Sequence, residues 1–369
     1  MKYILSIFVF LHAAIHLMGF AKGFNLAQIS ALNSDISKFA ALFWLLSFLL
    51  FLSSIILYIT NNQYFIYFII SAVILSSILI IGNWSDAKFG MIANIIIIIF
   101  AAISFSSCKM SKMIESEKVE ILSKAENQSN KIITEKDAEN LPMPVKNWFL
   151  KSGIIGKEEI KSAFILQKAK MKMKEDQENW YDAEAKQYST TENPAFIWSV
   201  KLKMNPIIKI KGRDKFANGK GEMLIKMNSL FTIVNEKGDK MDEGTIQRYL
   251  GELVWYPSFA ISKHISWESI DSNSAKATMN YNGTVGSGIF HFDDDGKFVK
   301  FVANRFKGNE EDAKRYPWIL TVDEYKTFEG IKVPSKMKAS WQLENGKWTW
   351  LDLEITEIRY NIGLGNIER

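Results

Sequence analysis

Four apolar runs fill the first hundred residues, at 3–20, 39–59, 64–81 and 89–105, and almost no charge interrupts them. Each is close to the ~20 residues that carry a helix across a bilayer core. Together the four runs make a four-helix membrane bundle the expectation. Lys2 precedes the first run as in a signal peptide. His12 and His16 lie inside it, however, and no small-residue cleavage pattern stands before Lys22, which favours a retained helix.

Four crossings place the N-terminus, the turn at Asn61 and Asn62, and everything after Cys108 on one side of the membrane. Residues 22–38 and 84–88 fall on the other. The stretch GNWSDAKFGMIAN is then an interfacial turn, with Trp84 as an anchor and Lys88 able to reach the headgroups. Asp86 needs a cation or a wet cavity, and Lys22, Lys88 and His16 reach the same level. His12 and His16 are four apart, on one helix face. Hydrogen bonds stitching the bundle account for them with fewer assumptions than a metal, a haem or a proton relay. These five residues, His12, His16, Lys22, Asp86 and Lys88, form the membrane-level polar candidates, and no metal or cofactor is expected. Lys2, Lys109, Lys112, Lys118 and Lys124 against Lys22, Lys38 and Lys88 give a small bias toward a cytoplasmic second half.

Composition changes near Cys108. Mean hydropathy near zero averages two unlike halves, and the net charge of +5 comes from 45 basic and 40 acidic residues mixed mainly in the second half. No basic stripe with interleaved aromatics is present, which argues against nucleic acid as a partner. A single cysteine excludes an internal disulfide and any CxxC motif, and no lipobox-like pattern precedes it. The domain organisation expected is a membrane module at 1–107, a polar Lys/Glu-rich linker at 108–140, either solvated helix or tether, and a second domain at 141–369.

In that second domain LPMPVKNWFLKSG starts with a short helix, stopped by Gly153. The periodicity then becomes two. AFILQKAKMKM, AFIWSVKLKM, IIKIKGRDKF, GEMLIKMN, KATMNYNGTV, GIFHFDDDGKFVKFVANRF, KVPSKMKASWQL and TWLDLEITEIRYN read as strands. FHF-DDDG-KFVKF is a hairpin, since its acids lack EF-hand spacing, and GRDKFANGKGEM lacks the P-loop pattern. One amphipathic helix interrupts, MDEGTIQRYLGELVWYP, with Arg248 and Glu252 as an i,i+4 pair. The fold class expected is an all-α membrane bundle followed by an α+β domain, mainly an antiparallel β half-barrel with a covering helix.

The motifs LPMPV at Leu141, GELVWYP at Gly251, WESID at Trp267, YPWILTVDEY at Tyr316, GIKVPSKMKASW at Gly330 and EITEIRY at Glu354 occur in order. In them residues 141–360 resemble a bacterial family of unknown function. HLMGFAKGF and WSDAKFGMIAN are similar to the membrane module sometimes fused to it. That family has no activity to transfer. More loosely, DEYKTFEGIKVPSKMKASW resembles the strands of LolA-like lipoprotein carriers, whose half-barrels hold acyl chains. This likeness implies a domain outside the cytoplasm, against the lysine bias, and the side stays open.

His264 and His291 belong to no catalytic motif, and Glu252, Glu268, Asp271, Asp323 and Glu324 have no fixed separation in sequence. An enzyme is the less favoured reading. Trp255, Trp267, Trp318, Trp341, Trp348 and Trp350 are core residues first. So many in one tethered β domain also suit an apolar groove. The expected function is binding of a lipid or lipid-linked ligand, as carrier or sensor, at Trp255, Trp267, Trp318 and Trp341 with Arg248, Glu252 and Arg315 at the rim. The alternatives are a membrane enzyme acting on a lipid-like substrate, with carboxylates or His291 as acid and base, and a small transporter or haem module built on the membrane helices.

Overall fold

A computed structural model describes residues 2–30, 32–125, 131–205 and 208–364. The chain divides into two compact units, Met1–Ser111 and Lys112–Arg369.

The first unit contains α1 (Lys2–Gly23), α2 (Lys38–Ile59), α3 (Phe65–Gly82), the single turn α4 (Trp84–Ala87) and the start of α5 (Gly90–Ser123). The four long helices are each apolar and long enough to cross a membrane. Ile4, Ile7, Leu42, Leu49 and Ile78 face outward, while the interior holds Ala13, Ala41, Ala72, Ser47, Ser54, Ser76, His12, His16 and Asn94. These small and hydrogen-bonding side chains share the interior with Val9, Phe51, Phe65, Ile66, Ile69 and Ile97, so close helix approach and ordinary apolar packing are combined. Gly19 shows why small matters, because a Cβ there would lie 2.5 Å from the Trp44 ring.

The second unit is organised by one 13-stranded sheet. Two antiparallel meanders build it: β1 (Ser162–Met171), β2 (Tyr181–Thr190), β3 (Ala195–Lys203), β4 (Lys209–Ala217), β5 (Lys220–Met227) and β6 (Phe231–Glu236), then β7 (Ile265–Ser269), β8 (Ser274–Tyr281), β9 (Thr284–Phe292), β10 (Phe298–Phe306), β11 (Arg315–Phe328), β12 (Ile331–Leu343) and β13 (Gly346–Tyr360). The spatial order is β6-β5-β4-β3-β2-β1-β13-β12-β11-β10-β9-β8-β7, so β1 and β13 meet in the middle and the edges come from mid-chain. Among the described residues the edges β6 and β7 do not pair, and the sheet is not closed. It curls nevertheless. The β4–β5 and β8–β9 turns touch, with Thr284 Oγ1 donating to Gly219 O at 2.6 Å.

The expected antiparallel half-barrel with a covering helix is therefore present, as is the FHF-DDDG-KFVKF hairpin, β9 to β10. Of the strand assigned to IIKIKGRDKF, Ile207 lies outside the described residues. KATMNYNGTV divides between β8 and β9 around Asn282 and Gly283, both with positive φ. The covering element is α7 (Asp239–Gly251), which continues into two 3-10 turns, Glu252–Trp255 and Pro257–Ile261. Ile246, Tyr249, Leu250 and Leu253 bury one stripe of it against the concave face. The short helix before the sheet is α6 (Met143–Lys151), and Gly153 follows with φ +82°.

Alternation assigns the two faces. Phe196, Trp198, Val200 and Leu202 point inward, whereas Ile197 and Phe164 pack on the outer face with Ile121 and Leu122 from the last turns of α5. This double coverage explains why AFIL and AFIW read as continuous apolar runs. Helix thus extends to Ser123 inside the segment read as linker, Glu117 lies 3.2 Å from Arg213 Nε, and residues 126–130 of that segment lie outside the described residues.

Candidate functional site

A cavity of about 220 Å³ lies between the concave face of the sheet and the C-terminal end of α7. Its walls are mostly apolar: Trp255 from the 3-10 turn, Trp318 and Leu320 from β11, Met337, Ala339 and Trp341 from β12, Trp350, Leu351 and Leu353 from β13, and Met223 from β5. Trp318 and Trp341 are direct cross-strand partners, so their rings share one face. Trp255 is held by Nε1 donating to Pro334 O at 3.2 Å.

A polar network forms one wall. Arg248 of α7 donates from Nη1 to Asp214 Oδ2 at 2.6 Å and from Nε to Glu252 Oε1 at 2.7 Å. Its guanidinium lies 4.8 Å and 4.9 Å from the Phe196 and Trp198 ring centres. Gln187 Nε2 donates to the second Glu252 oxygen at 2.7 Å. Trp198 Nε1 donates to Gln167 Oε1 at 2.8 Å. Burial pushes the Asp214 carboxyl up, with Arg248 opposing it. Burial also works against the Arg248 charge, but Glu252 and Asp214 outweigh it and raise that guanidinium.

Arg305 of β10 is different. It stacks over Trp318 at 4.3 Å and stands 5.8 Å from the Trp341 ring centre. Among the described residues it makes no hydrogen bond and no ion pair, and its Nε is a buried donor without a partner. Burial pushes its guanidinium down, and Arg248 adds to the shift. Gly244 of α7 leaves room for it, since a Cβ there would come within 3.1 Å of Nη2.

Of the residues named from sequence, the fold brings Trp255, Trp318, Trp341, Arg248 and Glu252 to this cavity. Two stand elsewhere. Trp267 packs on Phe290 and donates to Ala260 O at 2.8 Å, and Arg315 pairs with Glu243 of α7 and lies over Phe306. Sequence reasoning missed Arg305, Asp214, Gln187 and Gln167. A signal existed, because each occupies an inward register position: Phe301, Ala303 and Arg305 alternate along β10, as do Gly212, Asp214 and Phe216 along β4. The carboxylates considered for acid/base work are dispersed. Asp323 pairs with Lys338, Glu324 with Lys336 and Glu268 with Lys276, while Asp271 accepts from Asn273 N. His291 points away from buried Phe290 and Phe292.

In the first unit the polar candidates separate into two groups. His12 Nε2 meets Asn94 Oδ1 at 2.9 Å, and His16 Nε2 meets Ser76 Oγ at 2.8 Å, so both histidines bond across to other helices. Asp86 instead accepts from the backbone N–H of Asn33 and Ser34, at 2.8 Å and 2.9 Å. Those bonds, Ser34 first, hold its carboxyl down at about 2. Lys22 donates to Leu32 O and Lys88 lies over the Phe89 ring. No cluster of three or more His, Cys, Asp or Glu side chains suited to a metal occurs among the described residues.

The model of a family of unknown function, DUF6544, matches residues 131–353, more than half of the chain. The chain belongs to DUF6544. The resemblance to a family of unknown function read from LPMPV onward is thereby borne out as far as residue 353, short of EITEIRY. No curated protein matches this DUF6544 member. Among solved structures it is similar to a LolA superfamily protein from Nitrosomonas europaea, at 10% identity and TM-score 0.34, over 62% of this chain and 94% of that one. It is also similar to a beta-barrel-like protein of the DUF1849 domain of unknown function from Brucella abortus, at 10% identity and TM-score 0.23, over 55% and 99%. Likenesses this distant add nothing to what the sheet itself shows.

Proposed function

We propose that the sheet domain is a binding module that holds an apolar small molecule, a lipid or a lipid-linked compound, between its concave face and α7, and that the four apolar helices anchor it in the cell membrane as a multi-pass protein. The observation that carries this reading is the cavity lined by Trp255, Trp318, Trp341 and Trp350. A sheet that curls without closing must cover its inner face with side chains, helix or ligand. Here the first two leave about 220 Å³ uncovered. Binding is favoured over acid/base catalysis because Asp214 and Glu252, the cavity's carboxylates, are both engaged by Arg248.

Native mass spectrometry of the full chain released from detergent micelles tests the reading. Wild type is expected to retain one apolar small molecule. A339F, which fills the cavity from β12, is expected to lose it while the domain still unfolds cooperatively. Retention of the same molecule by A339F, or an empty wild type, would sink the proposal.

A further inference from the structure

The cavity has a surplus of one kind of polar group. Arg305 Nε, Gln167 Nε2 and Trp350 Nε1 are all buried donors without partners, and all three residues line it. The acceptors, in contrast, are largely taken: Glu252 by Arg248 and Gln187, Asp214 by Arg248, and Gln167 Oε1 by Trp198. Buried polar groups are rarely left unpaired in a protein that has no use for them. A cationic guest brings further donors, and a neutral ester or alcohol offers an acceptor but no charge to answer the buried guanidinium. A carboxylate or phosphate is an acceptor of the right charge, and the guanidinium fork matches its oxygens. Stacking on Trp318 leaves the edge of Arg305, where its N–H groups lie, free for such a guest. The volume limits the remainder of the molecule. About 220 Å³ is below the roughly 300–1,000 Å³ of ordinary ligand sites, which suits one chain and not two.

We infer that the ligand is a single-chain anionic amphiphile, an acyl carboxylate or an alkyl phosphate, with its acid oxygens on Arg305 and its chain over Trp318, Trp341 and Leu351. This rests on the binding reading above and specifies its ligand class. Arg305 is then the specificity-determining residue, and the paired Arg248 is a structural one.

The test uses the full chain in phosphatidylcholine nanodiscs and two photoreactive twelve-carbon probes that differ only at the head, a diazirine fatty acid and the matching fatty alcohol. Labelled peptides are mapped by mass spectrometry. The acid is expected to label peptides of β10 to β13 at concentrations roughly 10- to 100-fold lower than the alcohol, as charge-assisted hydrogen bonds imply. R305M should erase that difference and leave alcohol labelling in place, and R305K should recover part of it. Dodecanoate and dodecyl phosphate should compete, their ratio separating carboxylate from phosphate, whereas dodecyltrimethylammonium and inorganic phosphate should not. Equal labelling by acid and alcohol in wild type overturns the anionic ligand but leaves the binding reading standing. Absence of both probes from the cavity peptides overturns both. Competition by inorganic phosphate alone overturns the amphiphile.

Discussion

Thr284 and Gly219 lie 65 positions apart in sequence, yet the hydroxyl of one donates to the backbone oxygen of the other at 2.6 Å. This bond joins the tips of two hairpins from opposite wings of the sheet, at the rim of its concave face. Gly219 has φ +77°, and a Cβ there would meet Tyr281 O at 2.8 Å.

T284V should therefore leave Gly219 O unpaired and cost about 1–3 kcal/mol. G219V should cost more, because it adds backbone strain to the clash. Denaturant unfolding followed by tryptophan fluorescence measures both. Equal stability of T284V and wild type would mean that the wings are held by α7 alone.

Arg248 binds two carboxylates in a half-buried network. R248M takes from Asp214 and Glu252 the cation that is hydrogen-bonded to both, leaving only the more distant Arg305, and the expected loss is about 3–5 kcal/mol. R248K should also lose stability, since an ammonium cannot reproduce the fork that spans both acids. The same unfolding measurement reads both variants, and a neutral R248M would contradict the network's structural role.

Asp86 carries a pH dependence whose sign follows from its partners. Its carboxyl is held at about 2 by the Ser34 and Asn33 amides, against 3.8 for an ordinary aspartate. The folded loop is thus favoured above about pH 4, and that advantage is lost as pH falls through about 2. The protection factor of the Ser34 amide, its slowing relative to the intrinsic exchange rate at the same pH, should fall over this interval, and D86N should show the reduced protection already at neutral pH. A Ser34 protection factor that stays constant down to pH 1.5 would exclude the bond as its protection.

Asn94 ties three helices together through His12, Ser76 and Ser77. N94L should destabilise the bundle by roughly 0.6–2 kcal/mol, the range of polar contacts between membrane helices. SDS-driven unfolding of the full chain measures it. A stabilised N94L would mean that this polar cluster is kept for a reason other than packing.

Much of the fold was legible because it is written in periodicity. AFIWSVKLKM and KVPSKMKASWQL alternate cleanly, and MDEGTIQRYLGELVWYP keeps helical spacing until Pro257. The strand YDAEAKQYST was missed for a physical reason. Its inward residues are Ala183, Ala185, Gln187 and Ser189, small or polar, so alternation carried no hydrophobic signal. The same blindness hid half of the site. Tryptophans stand out in a sequence, whereas Arg305, Asp214 and Gln167 acquire meaning only once their strands show that they point inward. Asp86 was misjudged because side chains were sought as its partners and backbone amides from residues 33 and 34 supplied the bonds.

The strand order also has a consequence in time. Within each meander every neighbour is local, so β1 to β6 and β7 to β13 can form hairpin by hairpin as the chain emerges. The one ladder that unites them, β1 with β13, pairs Ala163 with Tyr360 and must wait for almost the whole polypeptide. Closing so long a loop slows folding far more than it lowers final stability. Until that ladder closes, β1 presents an unpaired edge at what becomes the centre of the sheet, and a nascent chain is most exposed to mispairing there.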